Sequence, residues 1–194
     1  SSSKVVVTYQ TDPSPKTSLT WKIVAMTADF TDEYKYWVDT RTPPLFGKDP
    51  DAKAVDVARS LGSGADVTIL DVGAGTGRNT LPLAREGFAV DALEPANALC
   101  TILRETVTTE QLPVAVVEGN ILNADLELPR PQYRMILLSE VVASHFRSVE
   151  QLQQLFEAAA KRLEPGGLFV FNAFLSDGGY KPDDLARQLS QVLW

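Results

Sequence analysis

Two carboxylates and a run of alternating glycines carry the most specific chemistry in the chain. Asp71 follows the apolar residues Thr68-Ile69-Leu70 and leads into Val72-Gly73-Ala74-Gly75-Thr76-Gly77. Glycine removes the side chain where a backbone must turn sharply and approach something closely, and a helix starting after such a turn presents N–H groups that lack a partner within the helix. Nucleotide-like ligands are held at turns of this kind. Glu94 ends a second apolar run, Phe88 to Leu93, at roughly the 20-residue spacing at which nucleotide-binding doubly wound folds place an acid on ribose hydroxyls. One carboxylate can accept both hydroxyls; the competing role is a helix-capping acid before Pro95. Further on, Ser139 and Glu140 follow the run Tyr133 to Leu138, with Ser144 and His145 behind them as candidates for substrate contact. His145 is the single histidine, and its ordinary pKa near neutrality suits a base. A structural or solvent-facing role stands against that, because no acid sits at motif spacing to orient it.

A dinucleotide fingerprint would need glycine at position 78, where the chain has Arg78. The segment Asp71 to Gly77 instead resembles motif I of the class I S-adenosylmethionine (SAM) dependent methyltransferases. That resemblance implies that Asp71, Gly73, Ala74 and Gly75 build the turn cradling the methionine part of SAM, and that Glu94-Pro95 supplies the ribose acid. At the position of Asn120 the family commonly has an aspartate that bonds the adenine amino group, with the next residue, Ile121 here, packing on the ring. An amide oxygen can accept the same bond, while an ordinary loop asparagine is the alternative. Trp37 to Thr42, containing Thr40-Arg41-Thr42, and the run Gly77-Arg78-Asn79 resemble the tellurite-resistance type of small-molecule methyltransferase. By that likeness Arg41 and Arg78 hold the SAM carboxylate, as the bidentate geometry of arginine allows. Trp37 or Tyr36 then closes over the cofactor, and Ser139 joins the cofactor contacts from a strand end. Glu140 and His145 are the candidate proton acceptors.

The elements that must position these residues read as alternating strands and helices. Strands are expected at Thr68 to Val72, Phe88 to Leu93, Val114 to Val117, Tyr133 to Ser139 and Leu168 to Asn172. A helix capped at Asp49-Pro50 carries Ala54, Val55, Ala58 and Leu61; a second carries Leu81, Leu83 and Ala84 up to Gly87; a third carries Ala98, Leu99, Ile102 and Leu103. A fourth starts at the capping box Ser148–Gln151 and stops at Glu164-Pro165-Gly166-Gly167. This alternation calls for an α/β fold, a doubly wound, mostly parallel sheet with right-handed crossovers. The methyltransferase resemblance spans about residues 31 to 175 and gives that sheet a Rossmann-like identity.

Residues 1–30 form an N-terminal extension with β-like runs at Lys4 to Gln10 and Leu19 to Met26, ahead of a domain over 31–194 that opens with an aromatic helix at Thr31 to Thr42. The family sheet normally closes with an antiparallel pair of strands, whereas only a helical stretch, Pro182 to Leu193, follows the fifth strand. The expectation is that the N-terminal hairpin completes the sheet from the front, by permutation, by exchange between chains, or as the tail of a preceding repeat; truncation is the alternative.

Composition narrows the partners. A chain of 194 residues with 44% hydrophobic content buries one core, and a formal charge of -7 disfavours broad binding to nucleic acid or anionic membranes. The lone Cys100 allows no internal disulfide and no multi-cysteine metal site, and fits a reducing cytoplasm. The resulting expectation is a SAM-dependent methyltransferase moving a methyl group to O, N or S of a small molecule, with no metal implied. A homodimer or a preceding domain in a longer chain is the expected assembly. The alternatives are a non-catalytic SAM-binding or interaction domain and a nucleotide-cofactor oxidoreductase.

Overall fold

The computed structural model describes residues 4–10, 49–139 and 149–174. In chain order the elements are β1 (Lys4–Gln10), α1 (Ala52–Leu61), β2 (Thr68–Val72), α2 (Thr80–Arg85), β3 (Ala89–Glu94), α3 (Asn97–Thr109), β4 (Ala115–Glu118), β5 (Tyr133–Leu138), α4 (Val149–Ala160) and β6 (Leu163–Phe174). They build one sheet in the order β1-β6-β5-β2-β3-β4. The five strands from β6 to β4 are parallel and β1 is antiparallel to β6, pairing from Lys4↔Phe174 to Gln10↔Leu168. The chain winds outward from β2 through β3 to β4 and then returns to β5 on the other side of β2. Doubly wound sheets bind ligands outside the strand ends where the winding reverses, here between β2 and β5.

Burial on both faces explains the unbroken apolar strands. Ile69 faces a cluster with Ala54, Val55 and Ala58 of α1 and Leu83 and Ala84 of α2, whereas Leu70 and Val72 face Leu155, Phe156 and Ala159 of α4. Leu103 of α3 packs with Ala74 and Ala92. On the α4 face Phe156 meets Phe169 edge-on at 5.2 Å and Phe171 at 4.9 Å, contacts worth about 0.5–1.5 kcal/mol each beyond the area they bury. No helix among the described residues is long and apolar enough to cross a membrane.

Three boundaries differ from the sequence expectation. The α1 cap is Asp51, not Asp49: its carboxylate accepts the Lys53 N–H at 2.9 Å, leaving Pro50 outside the helix. Helix α4 ends at Ala160 rather than at Glu164, because Leu163 is already paired with Tyr133 of β5. The Pro-Gly-Gly run therefore lies inside β6 and not before it. There the register jumps from Tyr133↔Leu163 to Met135↔Leu168, so Glu164 to Gly167 bulge out of the ladder, with Arg134 donating to the Gly166 carbonyl at 3.0 Å.

The first N-terminal run adds a strand to the sheet as β1. Its expected hairpin mate Leu19 to Met26, the aromatic helix Thr31 to Thr42 and the stretch Pro182 to Leu193 lie outside the described residues.

Candidate cofactor site

The parallel strands β2, β3, β4 and β5 end on one edge, where Asp71, the glycine turn, Glu94, Asn120 and Ser139 lie at or just beyond the strand ends. Residues 73–79 form the turn between β2 and α2, with φ of 72° at Gly73, 57° at Gly75 and 92° at Gly77. At Gly77 a side chain is excluded twice over, since a Cβ would stand 2.5 Å from Leu103 Cδ1 as well as in the left-handed region. The turn leans on β3: Gly73 and Ala74 donate their N–H groups to the Leu93 carbonyl at 2.8 and 3.1 Å, and Gly77 donates to Ala74 at 2.9 Å. These N–H groups fasten the turn to the protein, and α2 has only six residues. What these bonded residues of the turn offer a ligand is close approach and shape.

Glu94 is the centre of the edge. It is 1% exposed, and its two oxygens accept the N–H groups of Gly75 and Ala96, each at 2.9 Å. The helix-capping role weighed from the sequence is present, since Ala96 is the cap position of α3, and the bond to Gly75 ties the same side chain to the glycine turn. Each oxygen accepts one of these N–H bonds and keeps a lone pair for a further donor. Burial pushes the Glu94 carboxyl up to about 7; the two N–H bonds pull it back and the nearby Asp71 charge adds to the rise.

Asp71 is buried beneath the turn. Burial raises its carboxyl to about 6, opposed by the hydroxyl of Thr80, which donates at 2.6 Å, by the charge of Arg78 and by the Thr80 N–H. Asn79 is also buried and its side-chain oxygen accepts the Asp51 N–H at 2.8 Å, tying the turn to the start of α1. Sequence reasoning left Thr80 and Asn79 without roles. An acid closing a buried apolar run demands a nearby donor, and the first hydroxyl of the following helix was the signal for Thr80.

At the end of β4, Asn120 folds into a local turn in which its Oδ1 accepts the Leu122 N–H at 3.0 Å. Ile121 is buried in the core with Leu93 and Val72. Pro95 is half-buried between Glu94 and α3. Cys100 donates its thiol to the Glu94 carbonyl at 3.3 Å, and burial pushes that thiol up to about 11, which fits core packing and not nucleophilic chemistry.

On the other side of the reversal, Ser139 follows β5, whose Leu138 is in register with Val72. The Ser139 Oγ is buried and has no hydrogen-bond partner among the described residues. A polar atom left that way costs about 1–3 kcal/mol, so it marks a position where a ligand atom would be rewarded. Trp37, Arg41, Glu140 and His145 lie outside the described residues.

A family profile described as a methyltransferase domain matches residues 69–167, about half of the chain, from β2 into the bulge of β6. The chain belongs to this methyltransferase family. Among curated relatives of this methyltransferase domain, the demethylmenaquinone methyltransferase of Tropheryma whipplei is 32% identical over 116 residues, 60% of this chain and 45% of that protein. The chain thus spans under half the length of that relative. Among solved structures, TehB from Haemophilus influenzae superposes with a TM-score of 0.59 at 20% identity, covering 83% of this chain and 53% of its own. The glycopeptide N-methyltransferase MtfA, crystallised in complex with SAM, gives 0.55 at 22% identity over 71% of this chain and 61% of its own. Those two likenesses show the fold.

Proposed function

We propose that this methyltransferase domain binds SAM at the β2–β3–β4–β5 edge and transfers its methyl group to an O, N or S atom of a small molecule. The observation that carries the reading is Glu94, a buried acid at the end of β3 bonded directly to the glycine turn. The hydroxyl of Ser139, without a partner among the described residues, is the independent sign that the edge is built for a polar ligand. Family membership and the SAM complex of MtfA point to the same cofactor.

The residues present fit that cofactor. Glu94 would take the ribose hydroxyls on its remaining lone pairs, Asn120 would meet the base amino group, and Ser139 would bond an atom near the reversal point. When bound, SAM supplies a methyl group already activated on a positively charged sulfur, so its departure leaves a neutral thioether. What the protein must add is alignment of the acceptor lone pair with that carbon, exclusion of water, and a place for any proton the acceptor releases. Glu140 or His145 takes that proton, and Arg41, Arg78 and Trp37 hold the amino-acid end of the cofactor. Residues 31–194 constitute the domain in this proposal, working in the cytoplasm on a small-molecule acceptor, as a homodimer or behind a preceding domain.

Calorimetric titration with SAM, S-adenosylhomocysteine (SAH) and NADH tests the proposal. Saturable binding of both adenosyl ligands without NADH binding is the expected outcome, followed by radiolabelled methyl transfer to small-molecule acceptors. A folded sample that binds neither adenosyl ligand would overturn it.

A further inference from the structure

A second buried acid lies on the same strand as Glu94, three residues before the cofactor edge. Asp91 is 2% exposed and faces the α4 side of the sheet. Its Oδ2 accepts the hydroxyl of Tyr133 at 2.9 Å and is ion-paired with Arg130, whose side chain is 34% exposed. Burial and the Asp91 charge push the Tyr133 phenol upward, so it remains a donor at any working pH. An uncompensated carboxylate at this depth would be strongly unfavourable, so the arrangement holds only while Arg130 stays in place.

Arg130 sits on the connection from β4 to β5, residues 119–132, which crosses the α4 face of the sheet without a helix. At its cofactor end this strap is bonded to β3 through Gly119 N–H to the Glu94 carbonyl at 3.1 Å; at its far end it is bonded to β3 through Arg130 and Asp91. A single strand thus clamps the strap at points three residues apart, about 10 Å along β3. Between the clamps the strap is stiffened by successive turns, with Asn123 N–H on the Asn120 carbonyl at 2.9 Å and Leu126 N–H on the Asn123 carbonyl at 3.2 Å. Arg162, just beyond α4, donates to the Leu126 carbonyl at 3.3 Å, and Ile121, Leu122, Leu126 and Leu128 pack into the core beneath.

We propose that Arg130 and Asp91 are positioning residues that set where Asn120 presents its amide to the base of the cofactor. The inference rests on the SAM-binding reading above and adds to it a mechanism for base recognition. Asn120 is the first residue of the turn series that the ion pair holds from the other end. Releasing that pair frees the strap to shift while the bonds of the Glu94 carboxylate to Gly75 and Ala96 lie outside it, so recognition of the base weakens while the ribose acid remains intact. Coupling would travel through the turn hydrogen bonds from Asn120 to Leu126 and, over the remaining step to Arg130, through the packing of Leu126 and Leu128 on the core.

The test compares SAH with S-inosylhomocysteine, in which the amino group of the base is replaced by a carbonyl oxygen. Wild-type protein should prefer SAH. Arg130→Gln, and the charge-free double variant Asp91→Asn/Arg130→Gln, should lose about 3- to 10-fold in SAH affinity with a matching fall in the preference between the two ligands. Arg130→Lys should restore much of that preference. The double variant leaves no buried unpaired charge, so it reads out the strap even if the single variant folds poorly. A preference unchanged in a folded double variant, with only the unfolding midpoint lowered, would overturn the positioning role and leave the SAM reading standing. Failure of wild type to bind SAH would instead overturn the SAM reading itself.

Discussion

Strand β3 carries two buried carboxylates three residues apart, and the structure treats them in opposite ways. Asp91, near the start of the strand, is held by a guanidinium and a phenol that converge on its Oδ2, so that oxygen is committed to the protein. Glu94, at the end, is held by two backbone N–H groups alone, and burial raises it to about 7. The first arrangement spends a cation to hold a loop in place. The second keeps an acid desolvated with two backbone donors, a state that the hydroxyls of the proposed cofactor would relieve. Burial therefore does not distinguish the ion-paired acid from the acid proposed to take the ribose; the identity of the partners does.

The contrast breaks most visibly at Asp91. Arg130→Met removes the cation and leaves a buried charge, so unfolding in denaturant should show a loss of about 3–5 kcal/mol. Asp91→Leu combined with Arg130→Met should recover most of it, because an apolar pair at a buried site needs no compensation, although the Tyr133 hydroxyl loses its acceptor. If the single and double variants are equally unstable, the ion pair is incidental. At the other end of β3, Glu94→Gln keeps the shape but leaves a neutral amide to meet the ribose. Titration with SAH should show a loss of about 30- to 100-fold, the scale of roughly 2–3 kcal/mol for hydrogen bonds to a charged acceptor. Unchanged affinity would remove Glu94 from the site.

The pH dependence sharpens the comparison. Glu94 has a folded value near 7 against an ordinary 4.5, and Asp71 one near 6 against 3.8. The folded protein therefore binds more protons than the unfolded chain between about pH 4 and 7. Stability of the ligand-free protein should decrease as pH rises through that window, by an amount on the order of 6 kcal/mol shared about equally between the two groups. Adenosyl affinity should run the other way, weakening below pH 7 as Glu94 protonates and loses acceptor strength. Glu94→Gln should flatten the affinity profile and remove about half of the stability slope, the Asp71 contribution remaining. Parallel slopes for stability and affinity would show that Glu94 is not the group being titrated.

How much of this was legible in the sequence follows from how local each signal is. The glycine turn and Glu94 could be read because an apolar run, an acid and a change of period all fall within a few residues, and because strand ends in parallel sheets share an edge. The Asp91–Arg130 pair could not, since its members lie 39 positions apart and each alone looks like an ordinary surface charge. The available hint was Asp91 itself, an acid inside a strand that is apolar on both sides and so in need of a partner. Similarly, Pro165-Gly166-Gly167 carries the composition of a chain break, and only the pairing of Leu163 with Tyr133 shows it to be a bulge. Asp49 and Asp51 flank Pro50 and are equally good caps on paper, and the choice between them rests on the tie from the Asp51 N–H to Asn79.

The smallest expected effect tests whether Asp71 belongs with Glu94 or with Asp91. Asp71 has a side-chain donor, as Asp91 does, but Thr80 is neutral and supplies no charge. Thr80→Val preserves volume and deletes the hydroxyl, so Asp71 loses its strongest opposition to burial and should titrate above 6. The cost should be about 1–3 kcal/mol at pH 8, where the carboxylate is ionised, and should shrink at pH 5, where a proton replaces the missing donor as the group that keeps the site neutral. Asp71→Asn should remove that pH dependence. A Thr80→Val penalty that is the same at both pH values would mean the hydroxyl serves packing alone, and that the Arg78 charge and the Thr80 N–H already suffice to hold Asp71 ionised under the turn.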